Sequence, residues 1–255
     1  MKITFLGTGT SMGIPMIGCR CAVCQSPDSR DRRLRTSVWI ESRGKSIVID
    51  TGIDFRRQAL AYGISTVDAI LFTHHHADHI FGLDDIRPIN FLQKKTIPIY
   101  TTPAQLEHLN RVFPYVFRDH SSPSDIPRVE VHRIGDQPFD MDGLPITPVP
   151  LIHGCLPILG FRIGKFAYCT DVSQIPPSSY PLLENLEVLV LGALRRRPHP
   201  THFSIEEAVR EAEKIAATQT YFVHMSHEVS HQELLQELPE NIRPAYDGLV
   251  LELAD

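Results

Sequence analysis

Runs of apolar and β-branched residues, bounded by Gly, Pro, Asp and Ser, recur along the whole chain and predict short strands. In the first half they fall at Ile3–Leu6, Ser37–Ile40, Ser46–Asp50, Ala69–Thr73 and Ile97–Thr101. They recur at Arg128–Ile134, Ile146–Pro150, Ile158–Ile163, Lys165–Thr170, Val188–Leu191, Thr220–His224 and Leu249–Leu253. Helices are predicted at Phe55–Tyr62, Asp78–Asp84, Pro103–Val112, Ser204–Ala217 and Ser230–Leu238. The segment from Ser204 carries the clearest signal. Ser204 and Glu207 form an S-x-x-E capping box, and Ile205, Ala208, Val209, Ala212, Ile215 and Ala216 then follow at helical spacing. Ser230 and Glu233 mark a second box ahead of Leu234, Leu235 and Leu238. Interleaved strands and helices predict an α/β (α+β) architecture, a two-layer sheet core clothed by helices, in one domain over residues 1–255. Phe113–Pro127 is the longest stretch with no predicted element, and loops of that length serve as active-site lids or plain surface excursions.

One interruption of this pattern carries chemistry. The strand-like Asp68-Ala69-Ile70-Leu71-Phe72-Thr73 runs straight into His74-His75-His76-Ala77-Asp78-His79, an H-x-H-x-D-H motif. Imidazole nitrogens and a carboxylate oxygen are ligands for zinc, manganese or iron. A histidine run is also the composition of a tag or a solvated loop, but this one is internal and follows an apolar strand. Asp78 then opens a helix, where the macrodipole favours a carboxylate. The motif therefore predicts a metal centre at a strand's C-terminal end, with His75 outside the inner shell.

Composition changes the picture little. The chain has 255 residues, 42% hydrophobic and 22% charged, which suits a soluble globular protein able to bury a core. A net charge of −5 argues mildly against a long polyanion as the main partner. Arg195-Arg196-Arg197 is a local exception, equally suited to a solvated loop and to a substrate phosphate. Met1–Gly7 reads as a strand rather than the apolar core of a secretion signal, and no apolar run approaches bilayer length. The expected compartment is the cytoplasm, no membrane partner is expected, and the five cysteines are expected to be thiols or metal ligands.

Two ions need more donors than one motif supplies. His74 and His76 can serve one ion and Asp78 and His79 another, with a bridging carboxylate holding a pair at roughly 3.5–4 Å. Three metal-binding residues stand where β-runs stop: His153 after Ile146–Ile152, Asp171 after Phe166–Thr170, and His224 after Thr220–Val223. With these on the page, the chain resembles the metallo-β-lactamase-fold hydrolases, from Leu6-Gly7-Thr8-Gly9-Thr10 to Asp247-Gly248. The resemblance implies a four-layer αββα sandwich with a dimetal site at one end. It implies His74, His76 and His153 on one ion, Asp78, His79 and His224 on the other, and Asp171 bridging. It also implies that Asp50, which closes Ile47-Val48-Ile49-Asp50, orients a ligand histidine or the site's water from behind the ligands.

A second cluster, Cys19-Arg20-Cys21-Ala22-Val23-Cys24, has the C-x-C-x-x-C spacing of a zinc site short of one ligand; a redox cluster or three plain thiols are the alternatives. Within the superfamily this cluster resembles the phosphoribosyl cyclic phosphate phosphodiesterases of bacterial phosphonate degradation. That resemblance implies His227, three residues beyond His224, as fourth ligand of a structural zinc. It also implies a role for His202, just before the capping Ser204. An imidazole there suits protonation of a leaving alkoxide, with His199 the competing donor. Gly7–Gly13 offers either backbone N–H groups to a phosphate or tight turns beside the metals. Cys155 and Cys169 read as small buried apolar residues.

These features and the resemblance predict a metal-dependent phosphodiesterase for small phosphodiesters, cyclic ones included. Its cofactors would be two divalent ions (Mn, Zn or Fe) sharing a bridging hydroxide, plus one structural Zn. Alternatives on the same fold are a transfer-RNA 3′-processing nuclease, a glyoxalase-type thioesterase and an iron-dependent oxygenase; no long basic Gly/Pro-rich arm for RNA is evident. The expected partner is a small phosphodiester rather than nucleic acid, and a homodimer is the commonest symmetric assembly.

Overall fold

The computed structural model describes residues 1–117 and 126–254. Fourteen strands are described: β1 Lys2–Gly7, β2 Ser37–Ser42, β3 Lys45–Ile49, β4 Ala69–Leu71, β5 Ile97–Thr101, β6 Val129–Arg133, β7 Phe139–Met141, β8 Leu144–His153, β9 Leu156–Ile163, β10 Phe166–Cys169, β11 Val188–Gly192, β12 Gln219–Val223, β13 Ile242–Pro244 and β14 Val250–Glu252. They form two seven-stranded sheets, ordered β14-β1-β2-β3-β4-β5-β6 and β13-β12-β11-β10-β9-β8-β7. In the first sheet β3 to β6 pair in parallel and β14, β1, β2 and β3 antiparallel. The second repeats the scheme, with β10 to β13 parallel and β7 to β10 antiparallel.

Strand alternation builds the layers. On β3, Ile47 and Ile49 face the core between the sheets while Val48 faces out toward the helices. On β11, Val188 and Val190 face the same inner core, while Leu189 and Leu191 face the other helical layer. Both faces of these strands are covered, so they read as continuous apolar runs. The helices are α1 Phe55–Tyr62, α2 Ala77–Ile80, α3 Arg87–Gln93, α4 Pro103–Val112, α5 Pro114–Phe117, α6 Ile205–Ile215 and α7 His231–Glu237. Phe55, Ile80, Ile89 and Leu109 cover the first sheet; Ala208, Ala212 and Leu234 cover the second. The result is the αββα sandwich.

Departures from the sequence pattern have local causes. The helix expected over Asp78–Asp84 is a single turn at α2, followed by a 3₁₀ turn at Leu83–Ile86. Helix α3 carries no amphipathic signature, because Phe91 and Leu92 are 72% and 68% exposed and only its Ile89 is a buried apolar side chain. Strands β7 and β13 are three residues each, too short for alternation to register. Within Phe113–Pro127, the first residues form α5, and 118–125 lie outside the described residues. No helix among the described residues is long and apolar enough to cross a membrane.

Parallel pairing brings the C-terminal ends of β3, β4, β10, β11 and β12 to one edge of the sandwich, and β8, which runs with β10, ends there too. A close backbone approach fixes the first turn of α2 on this edge. A Cβ on Gly52 would overlap the Asp78 carbonyl oxygen, and the Gly82 N–H donates to the Thr51 carbonyl at 2.8 Å. Gly52→Ala is therefore expected to displace α2 and lower both the thermal midpoint and divalent-metal retention. Differential scanning calorimetry with metal analysis checks this, and an unchanged midpoint and metal content would refute the close contact.

Candidate metal centre

The motif begins three residues past the end of β4, after Phe72 and Thr73. His74 is fully buried and His79 sits in the single turn of α2. His153 is the last residue of β8, Asp171 lies two residues past β10, and His224 directly follows β12. Asp50, Asp171 and His224 all hold positive φ, at 63°, 54° and 59°, so the chain turns sharply just beyond three strands. Such conformations are costly for non-glycine residues and gather at functional sites.

The structure brings these residues into two groups of convergent donor atoms. His74, His76 and His153 form one; Asp78, His79, Asp171 and His224 form the other. Asp171 Oδ2 lies 3.4 Å from His79 Nε2 and 3.9 Å from His74 Nε2, so this carboxylate touches both groups. Its Oδ1 lies 2.9 Å from His224 Nδ1, and Asp78 Oδ2 lies 3.3 Å from His79 Nε2.

Three of the rings are held from behind. Asp50 accepts from His79 Nδ1 at 2.7 Å, from the Thr73 N–H at 2.8 Å and from the Thr73 hydroxyl at 2.7 Å. The Thr73 oxygen in turn lies 3.0 Å from His74 Nδ1. His153 Nδ1 donates to the Thr201 carbonyl at 2.6 Å. Among the described residues, His74 Nε2, His79 Nε2 and His224 Nδ1 are buried without a well-aligned hydrogen bond, the last two lying 3.4 and 2.9 Å from Asp171 oxygens. Buried polar atoms are rarely orphaned, and lone pairs converging on carboxylates are what a divalent cation satisfies. The donor set fits a metal.

The electrostatics agree. Burial, reinforced by the neighbouring His79, pushes His74 well below the ordinary imidazole range, toward the neutral form that binds metal. Burial also opposes charge on His79, but Asp171, Asp78 and Asp50 outweigh it and hold that ring well above the usual range. Three carboxylates around one imidazolium mark a place for added positive charge.

His202 joins the edge of the centre, its ring centroid 4.5 Å from that of His153 and 4.8 Å from that of His224. It also falls within 4.8 Å of donor atoms on His153 and Asp171. His199 stands one ring further out, 5.1 Å from His202, and takes no part in the donor groups. His75 stacks on His108 of α4 at 3.7 Å, outside both groups.

A separate group joins Cys19, Cys21, Cys24 and His227. Cys19 Sγ and Cys21 Sγ each lie 3.3 Å from His227 Nδ1. Backbone N–H groups of Cys21, Cys24 and Met16 donate to Cys19, Cys21 and Cys24 sulfurs at 3.4, 3.4 and 3.3 Å. The Cys24 N–H, with His227, pulls Cys21 down to about 6, toward thiolate. Four N/S donors with no residue left over suit a closed tetrahedral zinc site.

Other expectations resolve differently. Cys169 is buried, but Cys155 is exposed, because it occupies the two-residue turn between β8 and β9 rather than a strand. The three arginines bind glutamates: Arg195 and Arg197 to Glu228 at 3.5 and 2.9 Å, Arg196 to Glu237 at 2.5 Å. The loop is thus braced against α7, and phosphate need not be invoked for it. Thr73, Thr201 and Thr10 carry the supporting contacts. Only Thr73 had a signal, its place directly before the motif.

The match to known proteins follows this geometry. A family model described as a beta-lactamase superfamily domain matches residues 45–225. A solved structure described as a new diphosphatase from the PhnP family is 46% identical, with TM-score 0.93, covering 99% of this chain and 98% of that one. An octanoyltransferase of Porphyromonas gingivalis (strain ATCC BAA-308 / W83) is 40% identical over 253 residues, 98% of this chain and 51% of that protein. The chain thus spans about half the length of that relative. Zinc-bound PqqB from Methylobacterium extorquens, 20% identical with TM-score 0.79 over 99% of this chain and all (100%) of that one, shares the fold.

Asp50→Asn keeps the shape but sets an amide donor against the Thr73 or His79 donors. It is expected to weaken active-site metal retention by roughly 10–100-fold. Competition against a chromophoric chelator measures this, and wild-type retention would refute an orienting role for Asp50. With its matched residues, whole-length likeness and metal-fitting edge, the chain belongs to the beta-lactamase superfamily and, within it, to the PhnP family, on the metallo-β-lactamase fold.

Proposed function

We propose that this protein is a metal-dependent phosphodiesterase acting on small phosphate esters. The observation that carries the proposal is the set of orphaned imidazole nitrogens around Asp171, an arrangement ready for two ions. His74, His76 and His153 would hold one, Asp78, His79 and His224 the other, with Asp171 shared. Divalent ions there supply Lewis-acid charge to phosphate oxygens and acidify water. Cys19, Cys21, Cys24 and His227 would hold a structural zinc.

The chain's own residues set the stage for in-line attack. Asp50 and the Thr201 carbonyl lock His79 and His153 against rotation, so the centre needs no reorganisation as charge builds. His202 stands beside the centre and, in this reading, supplies the proton a leaving alkoxide needs. Burial, with the His224 ring, pulls His202 down to about 3, so the free site holds a neutral ring. An anionic phosphodiester beside it favours the protonated form, which couples proton donation to substrate binding. His199, further from the centre, connects to it through Thr201, whose N–H donates to His199 Nδ1 at 3.3 Å.

The PhnP-family diphosphatase likeness adds phosphoric anhydrides to the substrates worth testing beside linear and cyclic phosphodiesters. Asp171→Ala is expected to abolish hydrolysis of bis(p-nitrophenyl) phosphate in a direct absorbance assay; undiminished turnover would sink the mechanism. His202→Ala is expected to cost about 10²–10⁴-fold with alkyl leaving groups and far less with p-nitrophenol, which needs no proton donor. Equal losses on both, with an ion missing by mass spectrometry, would make His202 a ligand instead. Cys21→Ser is expected to remove one ion per chain and lower the thermal midpoint while the active-site ions stay. Unchanged metal content would exclude the structural zinc.

A further inference from the structure

We propose that Thr10 is a positioning residue for His224, fixing which ring nitrogen faces the metal centre. Thr10 Oγ1 lies 3.2 Å from His224 Nε2, and both residues are buried. His74, His79 and His153 turn Nδ1 toward the protein, to Thr73, Asp50 and the Thr201 carbonyl. His224 is turned the other way. Its Nε2 faces the protein, and its Nδ1 lies 2.9 Å from Asp171 Oδ1 without a well-aligned hydrogen bond among the described residues.

A neutral imidazole carries one proton, so an Nε2–H donated to Thr10 leaves the Nδ1 lone pair for a cation. With the proton on Nδ1, the same ring could not bind metal through that atom. Thr10 thus takes the part that acceptor-only oxygens, Asp50 and the Thr201 carbonyl, play behind His79 and His153.

The hydroxyl is held in place by its backbone. The Thr10 N–H donates to the Met225 carbonyl at 3.1 Å, and the Met225 N–H donates to the Thr8 carbonyl at 3.2 Å. The Gly13 N–H donates to the Thr10 carbonyl at 2.8 Å. Gly9 forms a parallel bridge with Met225, so the N-terminal loop and the His224 turn are in register. His224 itself holds φ 59°, a strained conformation that the surrounding contacts must hold in place.

The inference rests on the metal-centre reading and not on the substrate class. Its test is zinc titration of the native, Thr10→Val and Thr10→Ser proteins against a chromophoric chelator, with the cysteine-site ion as internal reference. Val keeps the branched shape and removes the hydroxyl. It is expected to weaken one active-site ion by about 10–100-fold, as outer-shell losses do. Ser keeps the hydroxyl and is expected to stay within about threefold of native. Native affinity in Thr10→Val would overturn the role of Thr10 alone; a native chain that binds no ion beyond the cysteine site would overturn the metal-centre reading with it. Should Thr10→Val fail to fold, the imidazole ¹⁵N spectrum of the zinc-loaded native protein decides. A proton on His224 Nε2 is expected, and a proton on Nδ1 would overturn the proposal.

Discussion

The Asp50 carboxylate is fully buried where β3 ends, and an unpartnered charge there would cost several kcal/mol. It is kept by three donors: the Thr73 N–H, the Thr73 hydroxyl and His79 Nδ1. Because Thr73 also touches His74, one carboxylate orients rings from both donor groups. The Thr73 carbonyl receives Gln105 Nε2 at 2.7 Å from α4 and the Leu159 N–H at 3.1 Å from the second sheet. The histidine motif is therefore clamped between two sheets and a helix. The bare glycine contact between Gly52 and Asp78 follows from the same need to bring α2 against the end of β3.

The second sheet brings His153, Asp171 and His224 to the centre from its strand ends, and an N-terminal loop fastened by buried charge lies against the His224 turn. Arg33 is 1% exposed and donates to the Thr8 hydroxyl at 2.8 Å and to the Ala245 carbonyl at 2.5 Å. Thr8 passes the contact on, donating to Asp247 Oδ1 at 2.8 Å, while Asp247 Oδ2 accepts the Leu34 N–H at 2.6 Å. Burial pulls Arg33 down to about 10 and pushes Asp247 up to about 6, the signature of charges held away from water. Along the chain, the Gly9–Met225 bridge lies between Thr8 of this network and the Cys19–Cys24 cluster, and between His224 and His227. Loop position, cysteine site and His224 are thereby parts of one arrangement, though they span the full length of the chain.

Much of this was legible in the residues. Strands β3 and β11 follow from their apolar β-branched runs, and α6 and α7 from S-x-x-E boxes; the structure closes the Ser204–Glu207 box on both sides, and at Ser230 the side chain accepts the Glu233 N–H. The H-x-H-x-D-H spacing and the cysteine cluster are local chemistry, and local chemistry survives in sequence. Where the signal was weak, physical causes are visible: α3 exposes two large apolar side chains, and β7 and β13 are too short for a period to show. Cys155 was misplaced because a thiol in a tight turn looks the same in sequence as one in a strand.

The residues by themselves determined the strand and helix content, the ligand types and the ends of strands at which ligands stand. Those properties depend on neighbours a few positions away. Only the tertiary structure decided which nitrogen of each ring faces the centre, that Asp171 touches both donor groups, and that Thr10 meets His224 across 214 positions. Arg195–Arg197 shows the same limit, since its glutamates lie on a distant turn and on α7. Hydrogen-bond direction and lone-pair convergence are properties of distances between residues far apart in the chain, and no spacing along it encodes them.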